Sequence, residues 1–523
     1  MANRDLQLIE SVKEYIKENV PQFLAVEHIS QDRNLPHPLD DDIVEKLKTF
    51  EIREEDDDYR IFYYVKDIKE IWKLIIEKSI KCLRFFDGRE PFMENPSKRP
   101  VAYGVNELSD YFEKYMQFET MLYGGGKYYR DHVVHVFRVW LLGLDCLLDN
   151  GGEYLKRINI QEGVTVNSLE KVSIWSMIAL THDLGYPLEK SQGIIEKTKD
   201  MMKSFISNPT LSVDLSFDGI QNNMNDFVVR FMSSKMHEID TRCPKDQEVA
   251  SIEKPFVARL QPKYYFKFQK SLERYNHGIL SAIIVYKLLI YFLESDFNIN
   301  EDYRFDKEEA RQFYIRREIL RAVAAHTCHD VYHLDMLNFG FLLIMADDAQ
   351  EWGRKRISEL YVKQNSNYEF DSIMPSFDIK KSTYKGLSGE KEIDIHKFTV
   401  KEQFRFPKGE LNNLKEILES LIRQRNDYQE IFRDGQDTAK RNFVFEKNCD
   451  VICEESKAVK FSVRFVISND AKPTFEIIVS SSNKTALKTY GEPFLKEIYK
   501  EYGVKQIGKD ENSIKYEIAA EDE

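Results

Sequence analysis

A histidine and an aspartate lie side by side in residues 181–187, which have the sequence THDLGYP. The run before them, VSIWSMIAL at 172–180, has the apolar density of a helix buried inside a bundle. Buried imidazole and carboxylate groups need polar partners, so an adjacent pair is a poor way to fill a core. The same two groups are well suited to bind a divalent metal ion. The stretch therefore predicts that His182 and Asp183 are metal ligands.

Further histidines and acids lie near the ends of other apolar helical segments. His135 stands in DHVVHVFRVWLLG, His277 opens an apolar run, and His326 ends another. The pair Asp347 and Asp348 follows the apolar LLIMA. Helix ends meet in a bundle, so ligands that are distant in sequence can converge. Imidazoles with carboxylates suit first-row ions such as Mn, Fe, Co, Ni or Zn.

Two ligand positions are open between neighbouring residues. His132 and His135 are three residues apart and share one helix face, so either can supply the first ligand. Asp347 and Asp348 point about 100° apart on a helix, so only one of them is expected to face the ion.

The order of these residues resembles the signature of the HD superfamily of metal-dependent phosphohydrolases. HVFRVWLLG at 135–143 resembles the first helix of that family, with its HxxRV pattern, and THDLGYP resembles the central motif. NHGILSA at 276–282 and AAHTCHD at 324–330 resemble the additional histidine motifs of members with larger sites. LLIMADDAQEWGR at 342–354 resembles the closing aspartate motif. The match covers about residues 119–357, under half of the chain.

The resemblance implies a site for one or two divalent ions, with Mg added to the ions named above. Its minimal ligands are His135, His182, Asp183 and Asp347. His277 and His326 complete a second metal site or face the phosphate as acids. The family pattern favours His135 over His132 and Asp347 over Asp348, which leaves His132 as a further candidate proton donor.

The implied reaction is hydrolysis of a phosphoester or phosphoanhydride bond in a nucleotide. A water activated by the metal attacks phosphorus in line, and one of the histidines at 132, 277 and 326 protonates the leaving oxygen. Basic side chains near the motifs are candidates for the phosphoryl charge. Arg130 is placed in the catalytic set, and the predicted substrate-binding residues are Lys127, Arg138, Lys190 and Arg354.

The preferred substrate is a deoxynucleoside triphosphate, cut to nucleoside and triphosphate. The chain length, the appended C-terminal domain and the HxxxS pattern at 277–281 resemble that subgroup. AAHTCHD followed by an AD-helix instead resembles dinucleoside polyphosphate hydrolases, so phosphodiester or dinucleoside polyphosphate hydrolysis is the alternative. A nucleotide sensor with little turnover is a second alternative. Family members with added domains sometimes serve in antiviral defence, which is an expectation here by resemblance.

Composition limits the partners. With 42% hydrophobic and 31% charged residues the chain has the profile of a soluble globular protein, and it has no apolar run of 18 residues to span a membrane. A net charge of −13 disfavours nucleic acid polymers as ligands. An allosteric nucleotide and a homo-oligomer remain open. The start of the chain lacks a signal-peptide pattern, and six cysteines lack CxxC spacing, so we expect a cytoplasmic protein.

Hydrophobic periodicity predicts a mainly α protein with a helical bundle, an N-terminal helical extension and a C-terminal α+β domain, and the resemblance implies that the bundle is an HD domain. The expected domains are 1–118, 119–357 and 358–523, with regulation as the role expected of the last. Within the first, the acidic segment 36–60 is predicted to be a connection. Residues 195–270 are predicted to be an insertion or lid, because they end in the basic and aromatic RLQPKYYFKFQ. Bundle helices are predicted at 133–148, 172–183, 278–294, 316–326 and 336–351.

Overall fold

The computed structural model describes most of the chain. The described residues are 3–18, 37–50, 61–88, 104–125, 132–160, 164–207, 219–239, 255–295, 303–331, 335–350, 352, 369–386, 389–406, 411–432, 442–453, 459–468 and 472–520. Within these segments, no helix combines the length and the apolar character that crossing a membrane requires.

The N-terminal part is helical wherever it is described. Its helices are α1 (Asn3–Glu18), α2 (Asp41–Lys48), α3 (Ile61–Phe86) and α4 (Val105–Gly125). Helix α2 corrects the prediction that 36–60 is only a connection. The Asp40 side chain caps it by accepting a hydrogen bond from the backbone N–H of Ile43, and Ile43, Val44 and Leu47 are buried. A buried apolar face of three residues was not evident in so acidic a segment.

The central part is a bundle of helices. They are α5 (Val133–Arg157), α6 (Ser168–Thr181), α7 (Tyr186–Met202), α8 (Gly219–Ser233), α9 (Pro262–Glu273), α10 (His277–Leu288), α11 (Ile290–Leu293), α12 (Lys307–Ala325) and α13 (Phe339–Ala349). Helix α6 is buried along its whole length, as its apolar run predicts. Gly143 of α5 gives room to Trp175 of α6, whose indole N–H donates to the carbonyl of Trp140 over 3.1 Å.

The described parts of residues 195–270 contain regular helices and strands. Helix α7 extends into this segment, and α8 and α9 follow in its described parts. Between α8 and α9, strand β1 (Ser234–Glu238) pairs antiparallel with β2 (Phe256–Leu260). Apolar side chains of α8 enter the core of the bundle, among them Val228 and Phe231. The interpretation of the segment as a lid stays a prediction.

The C-terminal part is a mixed sheet with helices. Its strands are β3 (Glu369–Gly386), β4 (Gly389–Phe406), β5 (Asn442–Cys453), β6 (Val459–Ser468), β7 (Thr474–Ser480), β8 (Tyr502–Lys509) and β9 (Ser513–Ala520), and its helices are α14 (Leu411–Phe432), α15 (Lys484–Thr489) and α16 (Glu492–Ile498). The seven-stranded sheet has the order β3-β4-β5-β6-β7-β9-β8. Strands β4 and β5 pair in parallel, and α14 lies between them in sequence. The prediction of a mainly α chain with an α+β C-terminal region is confirmed.

The sheet packs directly on the bundle. The rings of Tyr154 in α5 and Phe377 in β3 are stacked with centroids 4.8 Å apart. Phe341 in α13 meets Phe398 of β4 edge-on at 5.4 Å and lies 5.6 Å from Phe432 of α14. Helix α13 therefore has one part in contact with the sheet, and it also carries Asp347.

Candidate metal centre

Five helix ends bring the predicted ligands together. His182 is the C-cap of α6 and is followed by Asp183, and His326 is the C-cap of α12. His277 is the first residue of α10, while His135 lies in the first turn of α5 and Asp347 in the last turn of α13. The apolar runs that begin or end at these residues are buried, and their polar termini lie together in one region.

The carboxylate of Asp183 lies between two pairs of imidazoles. Its Oδ2 is 3.5 Å from Nε2 of His182 and 3.8 Å from Nε2 of His135. Its Oδ1 is 3.2 Å from Nε2 of His277 and 3.7 Å from Nε2 of His326. Asp347 joins the first pair, because its Oδ1 is 2.8 Å from Nε2 of His135. One carboxylate thus faces both halves of the cluster.

Three overlapping groups in this cluster have the geometry to hold a metal ion. Within each group the ligand atoms lie within 4.8 Å of one another. The groups are His135 with His182 and Asp183, His182 with His326 and Asp347, and Asp183 with His277 and His326. Buried His and Asp side chains can therefore hold one ion in either half of the cluster.

All four imidazoles are anchored through Nδ1. His182 and His326 donate Nδ1–H to the carbonyls of Ala179 and Val323, over 2.8 and 2.6 Å. Nδ1 of His135 is 2.5 Å from the side-chain oxygen of Gln350. Nδ1 of His277 is 2.7 Å from a carboxylate oxygen of Glu189 in α7. A histidine whose Nδ1–H is donated outward presents an Nε2 lone pair inward, which is the form that binds a metal.

One buried nitrogen atom indicates that the cluster is suited to hold a cation. Nε2 of His182 is buried and has no hydrogen-bond partner among the described residues. It faces the carboxylates of Asp183 and Asp347 over 3.5 and 3.8 Å. A buried lone pair beside two carboxylates lacks a positive partner, and leaving such a group unpaired is costly. A divalent ion would supply that partner.

The electrostatics keep both acids charged. Burial disfavours the charged form, but the neighbouring imidazoles outweigh it and hold the pKa of Asp183 and of Asp347 well below the usual range. Burial lowers the pKa of His277, yet its hydrogen bonds to Asp183 and Glu189 raise it to about 9. Burial dominates for His326 and lowers its pKa.

A glycine allows α10 and α12 to approach each other at the site. A Cβ on Gly278 would lie 2.6 Å from Oγ1 of Thr327, 2.8 Å from the carbonyl oxygen of Val323 and 3.0 Å from the ring of His326. Any side chain here would separate His277 from His326, whose Nε2 atoms are 3.1 Å apart. The glycine of the NHG stretch thus has a packing role.

Two predicted residues lie beside the cluster. The buried ring of His132 stacks on Tyr186 with centroids 3.7 Å apart, and it belongs to none of the three metal-holding groups. Lys190 has its ammonium 4.8 Å from the ring centre of Tyr186 and 2.5 Å from a carboxylate oxygen of Glu189. Of the two neighbouring acids, Asp347 contacts the cluster and Asp348 is exposed.

The structure pairs Arg138 with a buried carboxylate. Its Nε and Nη2 donate to the carboxylate of Asp5, 3.0 and 2.8 Å away, and both side chains are buried. This pairing gives Arg138 a structural role, and substrate binding by Arg138 stays a prediction. The other three predicted basic residues lie outside the described residues, namely Lys127, Arg130 and Arg354.

Sequence reasoning missed two residues that orient ligands. Glu189 in the first turn of α7 accepts hydrogen bonds from the backbone N–H of His277 over 2.9 Å and from its Nδ1 over 2.7 Å. Gln350 accepts from His135 and donates to the carbonyl of Trp352. Neither has a signal of its own in the sequence, although both lie within seven residues of a predicted ligand.

Comparison with known proteins gives no relative. No family model matches the chain, no curated protein matches it, and no solved structure matches it. The interpretation of the cluster rests therefore on its own geometry and chemistry.

Proposed function

We propose that this chain is a divalent-metal-dependent phosphohydrolase of the HD superfamily that acts on nucleotides. One observation carries the proposal: four imidazoles, each with Nδ1 engaged outward, converge through Nε2 on the carboxylates of Asp183 and Asp347. Such an arrangement serves no purpose in a hydrophobic core, where each polar group must find its own partner.

Two sets of residues would hold the ions. The first is the minimal set His135, His182, Asp183 and Asp347. The second is Asp183 with His277 and His326, which shares Asp183 with the first. When bound, a divalent ion there lowers the pKa of water and offsets charge on a phosphoryl group.

The chain's own residues supply orientation and proton transfer. Glu189 fixes the ring of His277 by accepting from its Nδ1, so that Nε2 points into the cluster. With one ion in the first set, His277 and His326 can hold a proton at Nε2 for the leaving oxygen. With a second ion they are ligands, and His132, 6.0 Å from the ring of His135, is the remaining imidazole for this role.

A cation and an aromatic ring beside the cluster support an anionic substrate. Lys190 places its partly exposed ammonium over Tyr186, whose ring also meets His277 edge-on at 5.2 Å. An ammonium suits phosphate oxygens, and the ring of Tyr186, which also stacks on His132, holds this ammonium beside the cluster. This supports a substrate with a phosphate group.

The choice of a deoxynucleoside triphosphate is the finer part of the proposal. It draws on the HxxxS pattern, whose serine is Ser281. In the structure Ser281 accepts from the backbone N–H of Gly185 over 2.7 Å and donates to the carbonyl of His277 over 2.8 Å. The serine therefore ties the turn after Asp183 to α10, a role that suits any substrate of this site.

A substrate panel tests the proposal. The full chain is incubated with Mn and with deoxynucleoside triphosphates, ribonucleotides, cyclic dinucleotides and dinucleoside polyphosphates, and the products are resolved. We expect nucleoside and triphosphate from a deoxynucleoside triphosphate, and products from the dinucleotides alone would favour the alternative activity. Bound metal without any product would favour a nucleotide sensor.

Matched variants connect turnover to the cluster. Asp183→Asn removes the charge that both halves share, and we expect it to lose metal and at least about 100-fold in rate. Asp330→Asn makes the same chemical change at an exposed aspartate that none of the metal-holding groups includes, and we expect the wild-type rate. Equal turnover by wild type and Asp183→Asn would overturn the proposal.

A further inference from the structure

A polar cavity that is partly open to solvent lies in the bundle, lined by the second half of α12. Its volume is about 170 Å³, and its lining includes Arg317, Glu318, Arg321, Tyr264 and Asn338. None of these residues belongs to the three metal-holding groups. The cavity is therefore separate in its residues from the metal centre, although α12 continues from it to His326.

Arg317 is a buried cation with unused donor capacity. Its side chain is 4% exposed, and its Nη1 donates to the carbonyl of Ser234 over 3.2 Å. Its Nε has no hydrogen-bond partner among the described residues. Burial, followed by the charge of Arg321, lowers the pKa of Arg317 to about 10, so two guanidinium groups repel each other here. Arg317 therefore contributes a buried positive charge to the lining of the cavity.

Arg321 lies one helical turn further on the same face of α12. Its guanidinium stacks 4.3 Å above the ring of Tyr264, from the basic and aromatic segment 259–269. No ion pair of Arg321 with a described carboxylate is formed. The guanidinium thus has a fixed platform on one side and its N–H donors free for a ligand.

Charge and size together define the ligand. Glu318 offsets one of the two cations, since it lies 3.7 Å from Nη2 of Arg317 and accepts from Asn338. One net positive charge remains among the described charged groups of the lining. The volume exceeds the roughly 150 Å³ that holds a benzene molecule, and falls short of the roughly 300 Å³ at which drug-sized ligands begin.

We propose that this cavity binds a single tetrahedral oxyanion, as free phosphate or as the terminal phosphoryl group of a small molecule. Arg321 donates to its oxygens, the positive charge of Arg317 adds to the attraction, and the ring of Tyr264 holds Arg321 in place. This explains the basic and aromatic segment without a lid over the metal centre. The inference does not depend on the proposed hydrolase activity, because it concerns different residues.

Calorimetric titration of the full chain with inorganic phosphate tests the inference. Arg321→Gln removes the cation, and we expect phosphate affinity to fall at least about tenfold. Ala322→Leu adds a larger apolar side chain to a buried residue of the lining, and we expect it to abolish binding while the chain stays folded. Arg274→Gln makes the same charge change at an exposed arginine at the end of α9, and we expect this variant to bind phosphate like the wild type.

Two further arms remove ambiguity. Phosphate that binds at the metal centre is lost in Asp183→Asn, whereas phosphate in the cavity is retained, which is the result we expect. Titration with a nucleoside monophosphate distinguishes the sources: binding sensitive to Arg321 indicates a phosphoryl group on a larger molecule, and its absence indicates free phosphate. Wild-type affinity in both Arg321→Gln and Ala322→Leu, or no phosphate binding at millimolar concentration, overturns the inference.

Discussion

Replacement of Arg138 by alanine is expected to destabilise the bundle severely. Asp5, which is 0% exposed, would keep the indole N–H of Trp352 at 2.6 Å and lose both donors of the guanidinium. Breaking a buried ion pair by removing one partner costs about 3–5 kcal/mol, because the other charge stays buried. At roughly 3 °C per kcal/mol for a unit of about 200 residues, the Tm falls by roughly 10 °C.

A thermal unfolding series separates this pairing effect from loss of an arginine in general. The control is Arg157→Ala at the end of α5, beyond its non-helical residues 149–152, where the side chain is 36% exposed and lies 3.6 Å from Asp394. An exposed pair of this kind is worth about 0–1 kcal/mol, so its Tm is expected to change by no more than a few degrees. The double variant Asp5→Leu with Arg138→Met is expected to recover part of the stability, because it removes both buried charges but also removes the acceptor of the Trp352 indole N–H.

The melting series distinguishes a structural role for Arg138 from a role in substrate binding. If Arg138→Ala keeps the wild-type Tm and loses affinity for a nucleotide, the arginine binds substrate and the structural account of the pair is wrong. If the Tm falls and the double variant restores part of it, the arginine is a structural residue.

Three further outcomes are expected. Gly278→Ala forces α10 away from α12 and should weaken metal affinity, measured by equilibrium dialysis, at least tenfold. The control Gly193→Ala, whose added Cβ has nothing within 4 Å, should keep the metal affinity and should melt at the same or a slightly higher temperature. In protein freed of metal with a chelator, the pKa of His277 is about 9, against about 6.5 in the unfolded chain. The protonated ring therefore adds stability that is complete below pH 6.5 and is lost as the pH rises through 9. Glu189→Gln should make the stability depend less on pH in denaturant titrations. Phe341→Ala should cost about 3–5 kcal/mol in the same titrations, because its ring joins the bundle to the sheet.

Much of the His and Asp cluster was predictable because its members mark where apolar runs begin or stop. A helix such as α6 is buried throughout, so a histidine at its end stands out against an apolar background. The same logic located His135, His277, His326 and Asp347. What the pattern did not reveal is which atoms face inward, since the Nδ1 acceptors include two backbone carbonyls, invisible in a sequence.

Long-range partners explain the parts that were missed. Arg138 lies in the HxxRV pattern, but its role follows from Asp5, which is 133 residues away in sequence. Glu189 resembles an ordinary first-turn acid and acts through α10, 88 residues further on. Strand β8 (Tyr502–Lys509) has no buried residue, so it lacks the apolar pattern of a core strand. For Arg138 and Glu189 the deciding contact lies far along the chain.

The central claim is that imidazoles and carboxylates from separate helix ends together hold a divalent cation. Elemental analysis of the full chain with Asp347→Asn and Asp348→Asn tests it most directly, because these adjacent aspartates share a helix and differ in whether they face the cluster. The account predicts near-stoichiometric Mn, Fe, Co, Ni or Zn in the wild type and in Asp348→Asn, and a large loss in Asp347→Asn. Equal metal content in the two variants, or no metal in the wild type after supplementation, would contradict it.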